Sequence, residues 1–328
     1  MRRCKLCVLP ESFPGVRLDE EGICQYCRRF DAEAHRRRQE KLRARFEALV
    51  EEAKGRPGFH AVVAWSGGKD STYTLWLLKV RYGLRPLAFT FDNGFVSERA
   101  FRNMRVVAER LGIDHVIVKP SHTLVRDAFR ASLEPGIYGA KALERASAIC
   151  TTCIAFAKGI GLRMALDRQV PMLVYGWSPG QVPLSSALFR QTRAFLLASL
   201  EAMEHSLEQV APGPIADYFP TREQVEAAPM PYSIAPLAFL PYDEGAIREQ
   251  IAELGWEPPQ DTDPNSTNCL LNTFAIEEHR RRYGYHPYVM ELAALVRQGY
   301  MSREEALARL DESLDPQVRL VVEQRLGL

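Results

Sequence analysis

From residue 59 onward, short apolar runs alternate with segments whose apolar residues recur at helical spacing. This alternation predicts parallel strands joined by right-handed crossover helices, and therefore an α/β sheet. The predicted strands are 60–65, 86–91, 115–118 and 171–175. The predicted helices are 71–82, 97–111, 122–132 and a longer stretch over about 141–168.

The ends of the chain follow different patterns. Residues 31–54 predict one charged helix with an apolar stripe, which Gly55–Gly58 ends. We therefore predict a Cys-rich knuckle (1–30), a linking helix (31–58), a nucleotide domain (59–180) and a mostly helical C-terminal region (181–328) that contributes Cys269.

Composition adds exclusions. The 328 residues are 46% hydrophobic and 25% charged, with a net charge of +1, so no global basic field of a general nucleic-acid binder is present. The chain opens without a signal-peptide pattern, and no apolar run approaches the roughly 20 residues of a membrane span. We expect a cytoplasmic protein with no membrane partner, where clustered cysteines bind metal or do chemistry.

The strongest motif directly follows the first predicted strand and precedes a helix. Its residues are Ser66, Gly67, Gly68, Lys69, Asp70 and Ser71. Glycines let the backbone approach an anion, and the N–H groups of the helix N-terminus point at a phosphate. Ser66, Ser71 and Lys69 would add donors and positive charge for that phosphate. The anionic Asp70 would touch phosphate only through a cation, for which we expect Mg²⁺. The motif is neither a Walker A loop nor a G-x-G-x-x-G fingerprint.

This strand and loop resemble the PP-loop ATP pyrophosphatase superfamily. The resemblance implies a doubly wound, mainly parallel α/β domain that binds ATP and adenylates a substrate oxygen with release of pyrophosphate. A nucleophile would then displace AMP. Asp92 and Gly176 follow the second and fourth predicted strands, where the superfamily contacts the nucleotide. Either segment could also be an ordinary turn.

The first cysteine group is Cys4, Cys7, Cys24 and Cys27, two CxxC turns separated by 16 residues. Such a pair predicts a four-thiolate site for one ion, most often structural Zn²⁺. Unligated thiols or a rubredoxin-like iron are the alternatives. The segment Cys4–Pro10 also resembles the opening of the N-acetyl sugar amidotransferases, and Gly299–Ala306 resembles their tail.

The second group is Cys150, Cys153 and, after 115 intervening residues, Cys269. One CxxC with one distant cysteine resembles the iron–sulfur PP-loop sulfurtransferases that thiolate tRNA. That resemblance implies a [4Fe-4S] cluster on three cysteines, with an open iron that carries sulfide. A redox dithiol, a persulfide-carrying pair or simple packing remain alternatives. Lys158 could neutralise pyrophosphate or the adenylate, or be a solvated helix residue.

Two features leave the acceptor open. No cysteine follows Cys269, whereas these tRNA-thiolating enzymes usually have a second knuckle, and Gly176–Gln181 replaces their usual acidic pair. Six basic residues between 36 and 45 could contact RNA phosphates, but nearby glutamates favour a solvated helix face. A second small cluster, Arg280–Arg282, has the same two interpretations.

The sequence therefore predicts an ATP-dependent, AMP-forming sulfurtransferase that acts on tRNA or a small molecule and needs a sulfur donor. The alternative enzyme is an N-acetyl sugar amidotransferase that uses ammonia from a partner glutaminase. A non-enzymatic nucleotide-sensing or RNA-binding module is the third hypothesis. A homodimer is possible on any of these interpretations.

Overall fold

A computed structural model describes residues 2–199, 201, 214–263, 265–311 and 315–328. Its strands are β1 (Ala61–Ala64), β2 (Pro86–Phe91), β3 (Asp114–Val118), β4 (Met172–Tyr175), β5 (Leu188–Arg190) and β6 (Tyr232–Ile234). The helices before β4 are α1 (Gln25–Arg28), α2 (Ala32–Lys54), α3 (Lys69–Trp76), α4 (Glu98–Leu111), α5 (His122–Ser132), α6 (Ala140–Leu143) and α7 (Ala148–Asp167). Those after β5 are α8 (Arg222–Ala227), α9 (Glu244–Glu253), α10 (Leu271–Tyr283), α11 (Val289–Gln298), α12 (Arg303–Asp311) and α13 (Pro316–Leu326); residues 193–199 are also helical.

The six strands form one sheet in the order β3-β2-β1-β4-β6-β5. All neighbouring pairs are parallel except β5 and β6, which are antiparallel. The chain runs outward from β1 through β2 and β3, and then returns to the other side of β1 at β4. The sheet is therefore mainly parallel and doubly wound, as predicted, and its switch point lies between β1 and β4, where such folds bind ligands.

Strand alternation divides the interior into two cores. In β1, Val62 packs with one buried cluster, whereas Ala61 and Val63 pack with the other. The Val62 side carries α5, α7, α10 and α13, and the opposite side carries α2, α3, α4 and α9. Because both faces are covered, the strands are apolar runs and show little alternation with polar residues.

Helix α7 passes through the first of these cores. It has 20 residues, and its most apolar 18-residue window has a mean hydropathy of 1.4 and is 56% buried inside the fold. By length and composition it could cross a membrane, so the expectation that no segment reaches that length was wrong. Its buried residues Phe156 and Ile160 pack with Val62 of β1 in the same cluster, which accounts for its apolar character as a core helix.

Two departures from the predicted elements matter for the site. The helix expected over about 141–168 is two helices, α6 and α7, and Ser147 caps the second by accepting a hydrogen bond from the Cys150 N–H at 3.1 Å. Strands β5 and β6 come from the region predicted to be mostly helical. The boundary predicted at residue 180 thus falls inside one sheet; residues 202–213 of that region lie outside the described residues.

The N-terminal Cys-rich segment packs onto the C-terminal helices. Leu9 and Phe13 share a buried cluster with residues of α11 and α12, and Phe13 meets Tyr285 edge to face at 4.9 Å between ring centroids. Arg303 donates to the carbonyls of Cys4 and Cys7. The knuckle therefore has an apolar core that it shares with residues distant in the sequence.

Candidate functional site

The glycine-rich loop connects β1 to α3 at the switch point. Gly67 has a φ of +81°, a conformation that side chains disfavour, and a Cβ there would lie 2.5 Å from Met104 Cε. The Ser66 and Ser71 hydroxyls lie 3.1 Å apart, and the Gly68 N–H approaches Ser66 Oγ at 3.4 Å. The loop thus gathers hydroxyl and N–H groups at the start of a helix, as an anion site requires.

Gly176 stands where the chain leaving β4 crosses this loop. A Cβ on Gly176 would lie 2.4 Å from Ser71 Cα and 2.7 Å from Ser71 N, both backbone atoms that cannot move aside easily. Glycine is therefore required here by the close approach of two backbones, which holds the segment that follows β4 against the loop. The predicted contact of Gly176 with the nucleotide stays a prediction.

The side chains of Lys69 and Asp70 contact residues that follow β6. The Lys69 ammonium, in a side chain that is 9% exposed, lies 2.8 Å from Asp70 Oδ2 and 3.7 Å from Glu244 Oε2, and it donates to the Tyr242 hydroxyl at 3.2 Å. Burial and the neighbouring carboxylates raise the pKa of Tyr242, so this phenol stays protonated and donates to Asp70 Oδ1. The predicted roles of Lys69 on phosphate and of Asp70 on Mg²⁺ stay predictions.

Cys150 and Cys153 begin α7, one turn apart on the same side of the helix. Cys269 lies just before α10, on a segment that runs beside the residues after β2: the Ser97 N–H donates to the Asn268 carbonyl and the Leu270 N–H to the Phe95 carbonyl, both at 2.9 Å. This backbone pairing carries Cys269 to the carboxyl end of the sheet.

One amide joins the distant cysteine to the CxxC pair. The Asn93 side chain, 4% exposed, places Nδ2 at 3.5 Å from Cys153 Sγ and 3.7 Å from Cys269 Sγ. Cys150 Sγ lies 3.7 Å from Asn272 Oδ1, which also accepts from the Tyr288 hydroxyl at 2.9 Å. The three partly buried sulfurs thus lie in one polar neighbourhood at the end of the sheet.

The spacing of these sulfurs distinguishes them from the N-terminal group. Among the described residues, only Cys4, Cys7, Cys24 and Cys27 bring their ligand atoms within 4.8 Å of one another. At least one sulfur pair of the second group is therefore too far apart for a single ion, while a multi-iron cluster spreads its ligands around a larger body. Burial raises the pKa of the Cys150 thiol to about 12 and the pKa of Cys269 above its usual value. A metal would displace these protons on binding.

A cavity of about 190 Å³ connects the loop with Cys153. Its wall includes, of the residues singled out in the sequence, Ser66, Ser71, Cys153, Lys158 and Gly176, together with Asn93 and Trp177. Lys158 Nζ lies 5.1 Å from the centroid of the Trp177 ring, which stacks on Tyr175. Lys158, Tyr175 and Trp177 also line a neighbouring cavity of about 920 Å³, so the two spaces adjoin.

Asp92 does not line the loop cavity and faces a different cavity. Its carboxylate accepts from the Gly94 N–H at 2.9 Å and pairs with Lys119 at 3.0 Å, beside a separate cavity of about 280 Å³. The neighbouring Asn93, which belongs to the same predicted segment, is the residue that reaches the loop cavity.

The first cysteine group is compact. The Sγ atoms of Cys4 and Cys27 lie 3.8 Å apart, as do those of Cys7 and Cys24. A tetrahedral ion with metal–sulfur bonds of about 2.3 Å has sulfur–sulfur edges of about 3.8 Å. These distances are far longer than a disulfide bond, and all seven cysteines are free. The four thiols therefore fit one tetrahedral ion.

Sequence reasoning missed several residues of the site. Thr267 accepts the Lys69 N–H at 3.1 Å through its hydroxyl and so joins the loop to the Cys269 segment. Glu291 of α11 accepts from the Ser178 hydroxyl at 2.7 Å. The polar run Asn265–Asn268 before Cys269 was a signal for the first of these, while nothing local to α11 marks Glu291.

No family model matches this chain. An uncharacterized protein of Methanocaldococcus jannaschii is 27% identical over 290 residues, which span 88% of this chain and 86% of that protein. Among solved structures, the chain resembles a U34-tRNA thiolase from Methanococcus maripaludis with its [4Fe-4S] cluster (TM-score 0.38, 17% identity, 96% of this chain and 90% of that one). It also resembles an NMN synthetase from Francisella tularensis (TM-score 0.37, 14% identity, 91% and 97%). Both scores are low, and neither activity is carried over on their basis.

Proposed function

We propose that this chain is an ATP-dependent sulfurtransferase that adenylates its acceptor and then transfers sulfur at Cys150, Cys153 and Cys269. One observation carries the proposal: a single cavity is lined by the loop hydroxyls of Ser66 and Ser71, by Cys153, and by the amide that contacts both Cys153 and Cys269. An anion-binding loop and a thiol group thus face the same small space.

The loop supports the nucleotide half of the reaction. Ser66, Ser71 and the α3 N-terminus offer donors to phosphate, and the cavity beside them opens toward Trp177. An acceptor oxygen would attack the α-phosphorus of ATP while the bond to the bridging oxygen breaks and pyrophosphate leaves. Lys158, at the rim of this cavity, is the proposed cation for the charge that develops on the phosphates.

The cysteines support the transfer half. A [4Fe-4S] cluster held by Cys150, Cys153 and Cys269 would supply a sulfide to replace AMP on the activated carbon. Asn93 would hold two of these ligands in place through its amide, and the apolar Ile154 and Ala157 line the same cavity. We further propose that the N-terminal four thiolates hold Zn²⁺, with a structural role.

The nucleotide half can be tested without knowing the acceptor. Gly176→Ala pushes a methyl group into the Ser71 backbone, and we expect it to weaken binding of the fluorescent analogue mant-ATP by at least about 10-fold, which is about 1.4 kcal/mol. Gly139→Ala is the matched control, because a Cβ there meets nothing within 4 Å. Equal binding by both variants would refute the loop assignment.

Metal content and the choice of nucleophile separate the sulfurtransferase from the alternative enzyme. If the anaerobic protein holds zinc but no iron, and added ammonia rather than sulfide drives AMP formation with an acceptor sugar, the amidotransferase hypothesis replaces ours. Production of AMP and pyrophosphate, measured by chromatography, distinguishes either enzyme from a module that binds ATP without turnover.

A further inference from the structure

A basic groove separate from the loop cavity lies between the knuckle and the C-terminal side of the sheet. It encloses about 660 Å³ and brings five cationic side chains together from α2, α6, the turn after α6, and α11: Arg38, Lys41, Lys141, Arg145 and Arg297. One carboxylate, Glu144, lines it. In a chain whose net charge is +1, this groove concentrates positive charge.

Most of this charge is not neutralised within the fold. Among the residues that the structure describes, Glu144 pairs with Lys141 at 3.0 Å, whereas Arg38, Lys41 and Arg145 make no side-chain ion pair. Other basic residues of α2 behave differently, since Arg37 pairs with Glu33 and Arg43 with Glu47. The interpretation of the α2 cluster as a solvated, charge-balanced helix face therefore fits Arg37 and Arg43, but it does not fit Arg38 and Lys41, which line the groove.

Aromatic rings stand among the cations. Tyr26 and Phe30 line the groove, and the Arg297 guanidinium lies 5.7 Å from the Tyr26 ring centroid. Cationic side chains that follow a backbone, with rings on which bases stack, are the combination by which proteins bind single-stranded nucleic acid. An acidic peptide would use the cations but has no bases to stack on the rings.

The groove continues toward the proposed transfer site. Val182 and Ser185 line both the groove and the cavity of about 920 Å³ that adjoins the loop cavity across Lys158 and Trp177. A cavity of that volume already accommodates one nucleotide-sized ligand, because drug-sized ligand sites are about 300–1,000 Å³. A ligand that also fills the groove must therefore extend beyond one nucleotide.

We propose that this groove binds the sugar–phosphate backbone of an RNA acceptor whose reacting nucleoside enters the adjoining cavity. The inference rests on the proposed function, because it takes the loop cavity as the place of transfer. It names the face that receives the acceptor and the residues that hold it, and it favours a polynucleotide over a free metabolite.

The probe is a fluorescein-labelled single-stranded RNA of about 16 nucleotides, the upper range of single-strand site sizes. Binding to the full-length, anaerobically prepared protein is followed by anisotropy between about 50 mM and 200 mM salt. Arg38→Gln with Lys41→Gln should weaken binding by about 10-fold and reduce the slope of log K against log salt by about 1.4, at about 0.7 per lost phosphate contact.

Arg36→Gln with Arg37→Gln is the matched control, on the same helix, with the same loss of charge and no residue in the groove. We expect it to change the affinity less than about twofold, as surface charges outside a contact do. Equal losses in both double variants would overturn the groove assignment, as would wild-type protein that fails to bind the RNA. Displacement of the RNA by UDP-N-acetylglucosamine would also overturn it, in favour of a small acceptor.

Iron content and mant-ATP binding of the wild type, measured on the same samples, keep the two proposals apart. RNA binding that depends on Arg38 and Lys41 in a protein without iron would support the groove and refute sulfur transfer. A protein that holds iron and binds ATP but does not bind the RNA would refute the groove assignment and leave the proposed function standing.

Discussion

The two cysteine groups use the same CxxC spacing in different surroundings. In the N-terminal group, four thiols lie within 4.8 Å of one another, and apolar residues such as Val8 and Leu9 are buried around them. The second group has three more widely spaced, partly buried thiols beside Asn93 and Asn272. The first arrangement is a closed site and the second faces a cavity, which is the usual difference between structural and reactive metal sites.

This difference teaches that a motif does not determine a role. Cys24 with Cys27, and Cys150 with Cys153, each lie at the start of a helix. The fold supplies the remaining thiols, which are a second CxxC in the first group and a distant cysteine carried by backbone pairing in the second. Helix α11 links the two regions, because Leu292 packs in the knuckle cluster while Glu291 on the same helix accepts a hydrogen bond from Ser178 near the loop.

The largest expected effect comes from the second group. Cys153→Ala should lower ATP-dependent sulfur transfer by more than about 1,000-fold, as loss of a group that takes part in the chemistry does, and leave zinc content unchanged. Thr151→Ala, on the same turn of α7, is the control, since its hydroxyl contacts only the Ser147 carbonyl. Retained transfer in Cys153→Ala would contradict the role of this group.

The first group should affect stability. Cys7→Ala removes one of four ligands, and structural zinc supplies several kcal/mol of folding free energy, so we expect the Tm to fall by at least about 10 °C. Calorimetry on wild type and variant, both prepared in the presence of zinc, measures this. An unchanged Tm in a variant that has lost its zinc would show that the apolar contacts with α11 and α12 hold the knuckle without metal.

A smaller effect should follow from the amide between two sulfurs. Asn93→Ala removes the contact to Cys153 and Cys269, and loss of such an outer partner costs about 10- to 100-fold in metal affinity. Iron retention during chelator challenge measures it. Asn103→Ala is a control of similar burial, because within the described part of the chain the Asn103 side chain bonds only to the backbone of Glu257. Equal iron loss in both variants would contradict the assignment.

A pH-dependent effect concerns the link between the regions. Burial raises the pKa of Glu291 from its usual 4.5 to about 7. The folded state therefore holds the Glu291 proton more tightly than the unfolded state does. The stabilisation that this proton provides is complete below about pH 4.5 and is lost as the pH rises to about 7. Each unit of pKa difference corresponds to about 1.4 kcal/mol of unfolding free energy. The isosteric Glu291→Gln should therefore unfold with less pH dependence than wild type over that window. Parallel pH profiles would show that Glu291 does not titrate there.

Local patterns predicted most of the sheet and the loop. Strand β2 and helix α5 begin and end at the predicted residues, because apolar runs and helical spacing are properties of neighbouring residues. Strands β5 and β6 were missed, since each has only three residues. The position of Lys69, which lies against Tyr242 and Glu244, depends on residues more than 170 positions away. No local pattern contains that information.

In the candidate site, too, local sequence predicted some features, and others depend on tertiary contacts. Spacing alone grouped the seven cysteines as four and three, but it could not bring Cys269 to Cys153. That approach depends on the pairing of residues 268–270 with 95–97 and on the Asn93 amide. The sequence had pointed to the neighbouring Asp92, as a nucleotide contact, and not to Asn93. The shared core of the knuckle with α11 and α12 was also invisible, because tertiary contacts over nearly 300 residues leave no periodicity.

The central claim is that the three thiols hold a cluster while the four hold a single ion. Metal analysis of anaerobically purified and reconstituted protein tests it most directly. The account predicts about four irons and one zinc per chain for wild type, and zinc alone for Cys153→Ala. A wild-type protein that is colourless and free of iron after reconstitution would contradict it.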